Sequence, residues 1–315
     1  MRRLRPEELL LGVCAVTLAI VLAVTGTTRP SAFLHPRFFE CVAGLALVVI
    51  ARSWWKTRRV GTALFAAARV LRDFAPFLGV LVLYECLHDL TPLVRPRVVD
   101  ATLLAIDRAL LGVDVASFLD QFASPWLTRV MVWCYASYFL APGLLACALY
   151  AFATRRAFRD FLLSLIAATL IGYVGYLLVP AVGPYVFEAD KFTSRLPGGG
   201  KETHLFIRAI DDLRGVARDC FPSLHTAHTT VVLVFAWRWK RWLALAYAPI
   251  ALGLFVSTMY LRMHYAIDVA AGFATAALAC WVGPRLDRMW SLWSLGRAED
   301  GAGRAEVDAR VVDSQ

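Results

Sequence analysis

Two short runs of the chain combine side chains equipped for phosphate-type chemistry. The first is Phe221-Pro222-Ser223-Leu224-His225, at the start of an apolar stretch. A Pro-Ser pair opening a helix leaves backbone N–H groups unpaired at the positive end of the helix dipole, which makes an anion site. His225, in the first turn, is placed to give a proton to whatever the anion is esterified to. The second run is His264-Tyr265-Ala266-Ile267-Asp268. Four apart on a helix, His and Asp share a face and hydrogen-bond. A carboxylate on one ring nitrogen leaves the other unprotonated and nucleophilic, the orienting logic of a hydrolase triad. Each run also has a plain structural alternative: a helix start with a packed His, and a His–Asp pair buried in a bundle.

Other candidates surround these two. His228 makes an H-x2-H pair with His225, and with His264 and Asp268 it would complete a zinc site of ordinary ligand type. Five of the six histidines (His88, His204, His225, His228 and His264) fall at or near the same side of the membrane pattern described below. His88 reads as a polar helix end, and His204 and His35 carry no signal. Six of the seven cysteines sit in apolar stretches, where Cys behaves as a small hydrophobe. Only Cys220 lies in a polar segment, with no partner nearby. No CxxC occurs, and no structural disulfide is predicted. The run Pro197-Gly198-Gly199-Gly200-Lys201 lacks the P-loop pattern and has no preceding strand, so it reads as a loop.

The elements that must hold these residues are membrane helices. Hydrophobic residues make up 59% of the 315, against about 45–50% in soluble domains, and charged residues only 18%. So much apolar surface does not fit inside one soluble core. A spanning helix needs about 20 mostly apolar residues. Eight stretches qualify: 9–27, 38–52, 74–90, 127–152, 161–184, 224–237, 242–260 and 264–284. The fold class expected is therefore all-α, a polytopic membrane bundle of about eight transmembrane helices. The first stretch follows a basic MRRLRPEE segment but no clear cleavage site, so it is read as an anchor rather than a leader.

Charge sets the orientation. Arg2, Arg3 and Arg5, Arg52 to Arg59, Arg155, Arg156 and Arg159, Arg238, Lys240 and Arg241, and Arg285 and Arg288 all fall on one side. The longer segments 89–126 and 186–221 fall on the other. Both termini are thus predicted to be cytoplasmic, in a plasma or inner membrane. This asymmetry accounts for the net +9 and gives no reason to invoke nucleic acid. Between Arg97 and Phe122, Asp100, Asp107 and Asp114 recur every seven residues among apolar ones, which describes an amphipathic interfacial helix broken near Gly112. The small, charged tail 296–315 is expected to be disordered. Parity brings His88, Pro184-Tyr185, Ser223-His225, Tyr260 and His264 to one outer-leaflet face. Ionisable groups at membrane depth read as functional.

Pro222-Ser223-Leu224-His225 and the run Ser257-Thr258-Met259-Tyr260-Leu261-Arg262-Met263-His264-Tyr265-Ala266-Ile267-Asp268 resemble two signatures of the type 2 phosphatidic acid phosphatase superfamily, P-S-G-H and S-R-x5-H-x3-D. The P-S-L-H and S-T-M-Y spellings are closer still to its inositol phosphorylceramide synthase branch. The resemblance covers roughly residues 75–285, six helices with two more in front. It implies three parts: N-terminal membrane helices and a cytoplasmic loop (1–73), a catalytic core (74–285), and a cytoplasmic tail (286–315). The superfamily's first signature, K-x6-R-P, has no counterpart at Pro180-Ala181-Val182-Gly183-Pro184-Tyr185. A partial match, His88-x6-Arg95-Pro96, lies two helices earlier. The arginine expected in the third signature is Thr258.

The resemblance implies a lipid phosphatase or headgroup phosphotransferase working without metal or other cofactor. His264 would attack phosphorus to give a phosphohistidine, Asp268 would orient it, and His225 would protonate the leaving alkoxide. Ser223, Arg262, Arg95 and Tyr185 are the candidates for phosphate contacts. The expected partners are a phospholipid or sphingolipid substrate, a lipid or polyol acceptor, and the bilayer. Two other classes stay open at this point: a proton-coupled transporter or non-catalytic lipid-binding protein, and a zinc-dependent membrane hydrolase. A transporter would call for matched inverted repeats with broken helices, and no internal repeat is visible.

Overall fold

The computed structural model describes residues 12, 60–192, 196–197 and 218–313, and among these every regular element is a helix. Nine helices follow one another from residue 60: α1 (Val60–Val94), α2 (Asp100–Leu111), α3 (Val115–Asp120), α4 (Pro125–Phe152), α5 (Arg155–Leu178), α6 (Pro184–Phe187), α7 (Leu224–Trp239), α8 (Arg241–Tyr260) and α9 (Ala266–Asp313). The expected spans at 9–27 and 38–52, with His35 and His204, lie outside the described residues.

Among the described residues, four helices are long and apolar enough to cross a membrane: α4, α5, α8 and the first part of α9, Ala266–Trp290. The other two expected spans in this region are α1, 35 residues with Pro76 and Pro92 inside it, and α7, only 16 residues. At about 1.5 Å per residue α7 covers roughly 24 Å, less than the ~30 Å of a hydrocarbon core. The all-α bundle expected from sequence is the fold found. α5 starts at Arg155 rather than 161, because Thr154 caps it by accepting from the Ala157 N–H at 3.2 Å. It stops at Leu178, before Pro180. α9 continues as helix to Asp313, into the 296–315 segment expected to be disordered.

α5 is the hub. Phe158, Phe161, Leu165, Ile166 and Ala168 are buried around its circumference, with α1, α7 and α9 packed about it. α8 packs on α4 and α7. The outer surface is apolar: Trp133, Leu144, Trp242, Leu252 and Trp281 face outward, the pattern of a lipid-facing wall with interfacial tryptophans. At one end Arg155 pairs with Asp73 of α1, and Arg159 donates from Nη2 to Asp287 of α9 at 2.6 Å. Arg155 and Arg159 are therefore held together at one end of the bundle by acids of α1 and α9.

At the other end α2 and α3 lie across the helix termini. Gly112, at φ +74, ends α2, and Asp114 caps α3 by accepting from Ser117. The break expected near Gly112 is there, but the acidic stripe faces inward. Asp100 and Asp107 are buried, while Leu110, Leu111, Phe118 and Phe122 are exposed. The helix is amphipathic with its polar face toward the protein.

Candidate active site

The terminus of α8 sets the position of His264. Arg262 N–H donates to Met259 O and Met263 N–H to Thr258 O, both at 2.9 Å, the paired bonds of a Schellman motif. The residue in the left-handed position of that motif, usually Gly, is Arg262 at φ 61. Such a conformation costs a side-chain-bearing residue about 1–2 kcal/mol. The Arg262 guanidinium pairs with Asp120 at the end of α3 and lies over the Phe192 ring, 4.2 Å from its centroid. The turn delivers His264 two residues later, its N–H held by Thr258 O at 3.1 Å. Thr258 itself, at the place of the expected arginine, is buried and donates to Phe255 O at 2.8 Å.

α7 and α9 start side by side. Ser223 caps α7, its Oγ accepting from Thr226 N–H at 3.3 Å, and its own N–H donates to Asp268 O at 3.1 Å. Gly272 permits this approach, since a Cβ there would lie 2.6 Å from Ser223 O. His225 Nδ1 consequently meets His264 Nε2 at 3.3 Å. His264 Nδ1 faces Asp268 Oδ2 at 3.5 Å, long for a hydrogen bond. Asp268 Oδ2 also accepts from Tyr265 N–H at 2.8 Å, while Oδ1 is buried with no hydrogen-bond partner among the described residues. The His225 ring lies 4.6 Å from that of Tyr135 and 4.2 Å from that of Tyr138, which restricts its swing.

His225, His264 and Asp268 are thus brought together, with Ser223 beneath them. Tyr185 joins through its backbone, donating to Arg262 O at 2.9 Å. Arg95 does not: its guanidinium bonds Leu178 O, and its carbonyl accepts from Arg218, so its described contacts lie at the end of α5. His228, a zinc ligand in one reading, turns to Thr169 of α5, with Nε2 2.9 Å from the hydroxyl, and stacks on Tyr138. The H-x2-H pair shares a helix face, but its second ring is spent in the core.

Residues that the sequence reading did not place at the site hold its frame. Asp100 accepts from Val182 N–H and Gly183 N–H, at 3.1 and 2.8 Å, and from the Tyr265 hydroxyl at 3.1 Å. Asp107 accepts from Ala266 N–H at 2.7 Å and Ile267 N–H at 2.9 Å, capping α9 from another helix. Burial raises both carboxyls above the ordinary carboxylate range, although these hydrogen bonds pull them back down. Gly183, at φ +84, lets the loop pass Met263, where a Cβ would lie 2.4 Å from the carbonyl oxygen. Cys220 reaches the pair itself: its thiol donates to Asp268 Oδ2 at 2.9 Å and lies 3.6 Å from His264 Nδ1. The segment that carries it is clamped by Tyr84 on Asp219 and by Arg218 on Pro96 O.

The PAP2 superfamily pattern matches residues 101–282, more than half of the chain. The chain belongs to the PAP2 superfamily. With its four long apolar helices, this PAP2 chain is an integral membrane protein. It is also similar to the phosphoinositol dihydroceramide synthase of Bacteroides thetaiotaomicron, 33% identical over 149 residues, which are 44% of this chain and 49% of the relative. The chain spans about half the length of that curated relative. No solved structure matches. The superfamily read from the P-S-L-H and H-x3-D runs is therefore the one found, and the matched region contains every residue of the His225–His264–Asp268 cluster.

Proposed function

We propose that this protein is a membrane lipid phosphotransferase acting at the extracytoplasmic surface through a phosphohistidine. The observation that carries the reading is the meeting of His225, His264 and Asp268 at the end of the bundle remote from the arginine-rich loops. His264 Nε2 attacks phosphorus as the bond to the leaving oxygen breaks, and His225 gives that oxygen a proton. Asp268 holds the Nδ1 proton and steadies the imidazolium. Ser223 and the first amides of α7 stabilise charge developing on the phosphoryl oxygens, while Arg262, paired with Asp120, fixes the turn that delivers His264. In the second half, His225 takes a proton from the acceptor, which attacks the phosphohistidine and frees His264. The relative's name, a phosphoinositol dihydroceramide synthase, supports an alcohol rather than water as acceptor.

The test is incubation of the purified protein in detergent with a panel of radiolabelled phospholipids, with and without ceramide-type and polyol acceptors. Label passing to an acceptor hydroxyl is the expected result. Label released only as free phosphate would make the enzyme a phosphatase. No turnover of any lipid, with a proton-dependent flux in vesicles, would return it to the transporter class.

Two further outcomes are expected. Cysteines introduced at Asp190 and Arg156, both exposed, label from opposite sides of intact cells, position 190 from outside. Labelling of both from one side would remove the extracytoplasmic site. Activity survives chelator treatment followed by desalting, because both histidines and Asp268 have assigned proton or nucleophile roles. Loss of activity that Zn²⁺ restores would replace this mechanism with a metal-dependent one.

A further inference from the structure

Cys220 has no part in the mechanism above, yet its sulfur sits against the nucleophile and its orienting acid. Sγ, His264 Nδ1 and Asp268 Oδ2 are mutually 2.9, 3.6 and 3.5 Å apart, and all three residues are buried. Zinc bond lengths of about 2.0–2.3 Å at tetrahedral angles separate ligand atoms by roughly 3.3–3.6 Å. Two of the three separations already match. The third, the 2.9 Å thiol–carboxylate hydrogen bond, would have to open by about 0.7 Å to fit the Zn–S and Zn–O lengths. Asp268 Oδ1, buried and without a hydrogen-bond partner among the described residues, offers a second oxygen to the same centre. A thiolate, an imidazole and one carboxylate select a soft or borderline cation, whereas Mg²⁺ and Ca²⁺ seek oxygen shells.

We propose that Cys220, His264 and Asp268 form a binding site for a Zn²⁺-class cation, and that its occupation switches the enzyme off. The inhibitory half rests on His264 being the nucleophile. On binding, the thiol loses its proton to solvent and Nδ1 gives its lone pair to the metal. The neutral ring then carries its one proton on Nε2. The lone pair that attacks phosphorus is gone, and Asp268 no longer orients the ring because it is itself a ligand. The polarity is opposite to that of a catalytic zinc site. Here the metal takes the nitrogen behind the reacting one.

The experiment uses the full chain, reduced and purified in detergent, with Co²⁺ as optical probe and Zn²⁺ as competitor. Wild type is expected to show a thiolate-to-cobalt charge-transfer band that Zn²⁺ removes, and Cys220→Ser and Cys220→Ala are expected to lack it. Thermal unfolding of wild type should shift upward with Zn²⁺, and that of the variants should not, which separates lost binding from lost folding. The ratio of lipid transfer with Zn²⁺ to that without is then read for each protein. The Zn²⁺ concentration giving half inhibition should rise in Cys220→Ser by more than the ~10–100-fold that loss of an outer-shell partner costs. An unchanged cobalt band in both Cys220 variants overturns the site. A Cys220-dependent band with transfer indifferent to Zn²⁺ overturns the switch, while acid-labile phosphate trapped equally on wild type and His264→Asn is what would overturn the nucleophile assignment. Stimulation of metal-stripped protein by Zn²⁺ overturns the inhibitory polarity.

Discussion

His264→Asn is expected to abolish acid-labile, base-stable phosphate on the protein for every substrate, since no nucleophile remains at Nε2. His225→Asn should divide substrates by their leaving group. An activated aryl phosphoester departs without a proton, so rapid-quench labelling of His264 should persist. An alkyl lipid ester leaves as a strongly basic alkoxide, and its turnover should fall by about 10²–10⁴-fold, the usual worth of general acid catalysis. Asp268→Asn should lie between the two, because the ring stays near but its tautomer is no longer held. Equal phosphorylation of wild type and His264→Asn would end the nucleophile assignment. Equal losses on aryl and alkyl esters in His225→Asn would reassign that ring to phosphate binding or packing.

Asp107→Ala is expected to be the most damaging change away from the histidines. It strips the acceptor from two half-buried amides, Ala266 N–H and Ile267 N–H, in the turn that carries Asp268. Leaving a fully buried donor unsatisfied costs about 1–3 kcal/mol; water reaches these two in part, so together they are worth about 1–3 kcal/mol of stability. Asp107→Asn retains one acceptor oxygen and should recover about half of that. Because the frayed turn holds Asp268, kcat should fall further than KM rises, even under conditions where the variant stays folded. Unfolding in detergent, followed with kcat and KM for both variants, tests this. Asp107→Ala with wild-type stability would show that α9 is capped by other means.

The two signature runs were legible as chemistry because each is local. Ser223 and His225 lie within one helical turn, and His264 and Asp268 are four apart, so spacing alone brings the members of each run together. That the runs meet was legible only through membrane parity, which puts the start of one helix beside the end of another. What sequence could not show is recognition between a side chain and distant backbone. The seven-residue spacing of Asp100, Asp107 and Asp114 was plain, but an acidic stripe on an interfacial helix normally faces water. Its partners are amides of Val182, Gly183, Ala266 and Ile267, and an amide N–H leaves no mark in the residue type. Cys220 looked isolated for the same reason, its carboxylate being 48 positions on. His228 misled in the other direction. Its spacing from His225 is that of a ligand pair, but Thr169, on another helix, takes the ring. The start of α5 was misplaced because its first turn is rich in arginine, which reads as loop until Thr154 is seen to cap it.

The inward stripe of α2 has a consequence for how the protein is made. Asp100 awaits an amide 82 residues later in the chain, and Asp107 one 159 residues later. At a synthesis rate of about 5–20 residues per second, these partners emerge roughly 4–16 and 8–32 seconds after their carboxylates. Through that interval α2 is a helix with two acids and no amides to receive, so water at the membrane surface must solvate them. The nascent chain therefore has reason to keep 100–111 at the interface rather than release it into the lipid. Only when the start of α9 arrives can the stripe turn inward, and the same event seats Asp268 beside His264. Closing this end of the bundle and seating Asp268 beside His264 are then a single late step in biogenesis, so a chain truncated before residue 266 would leave the ribosome with α2 still on the surface.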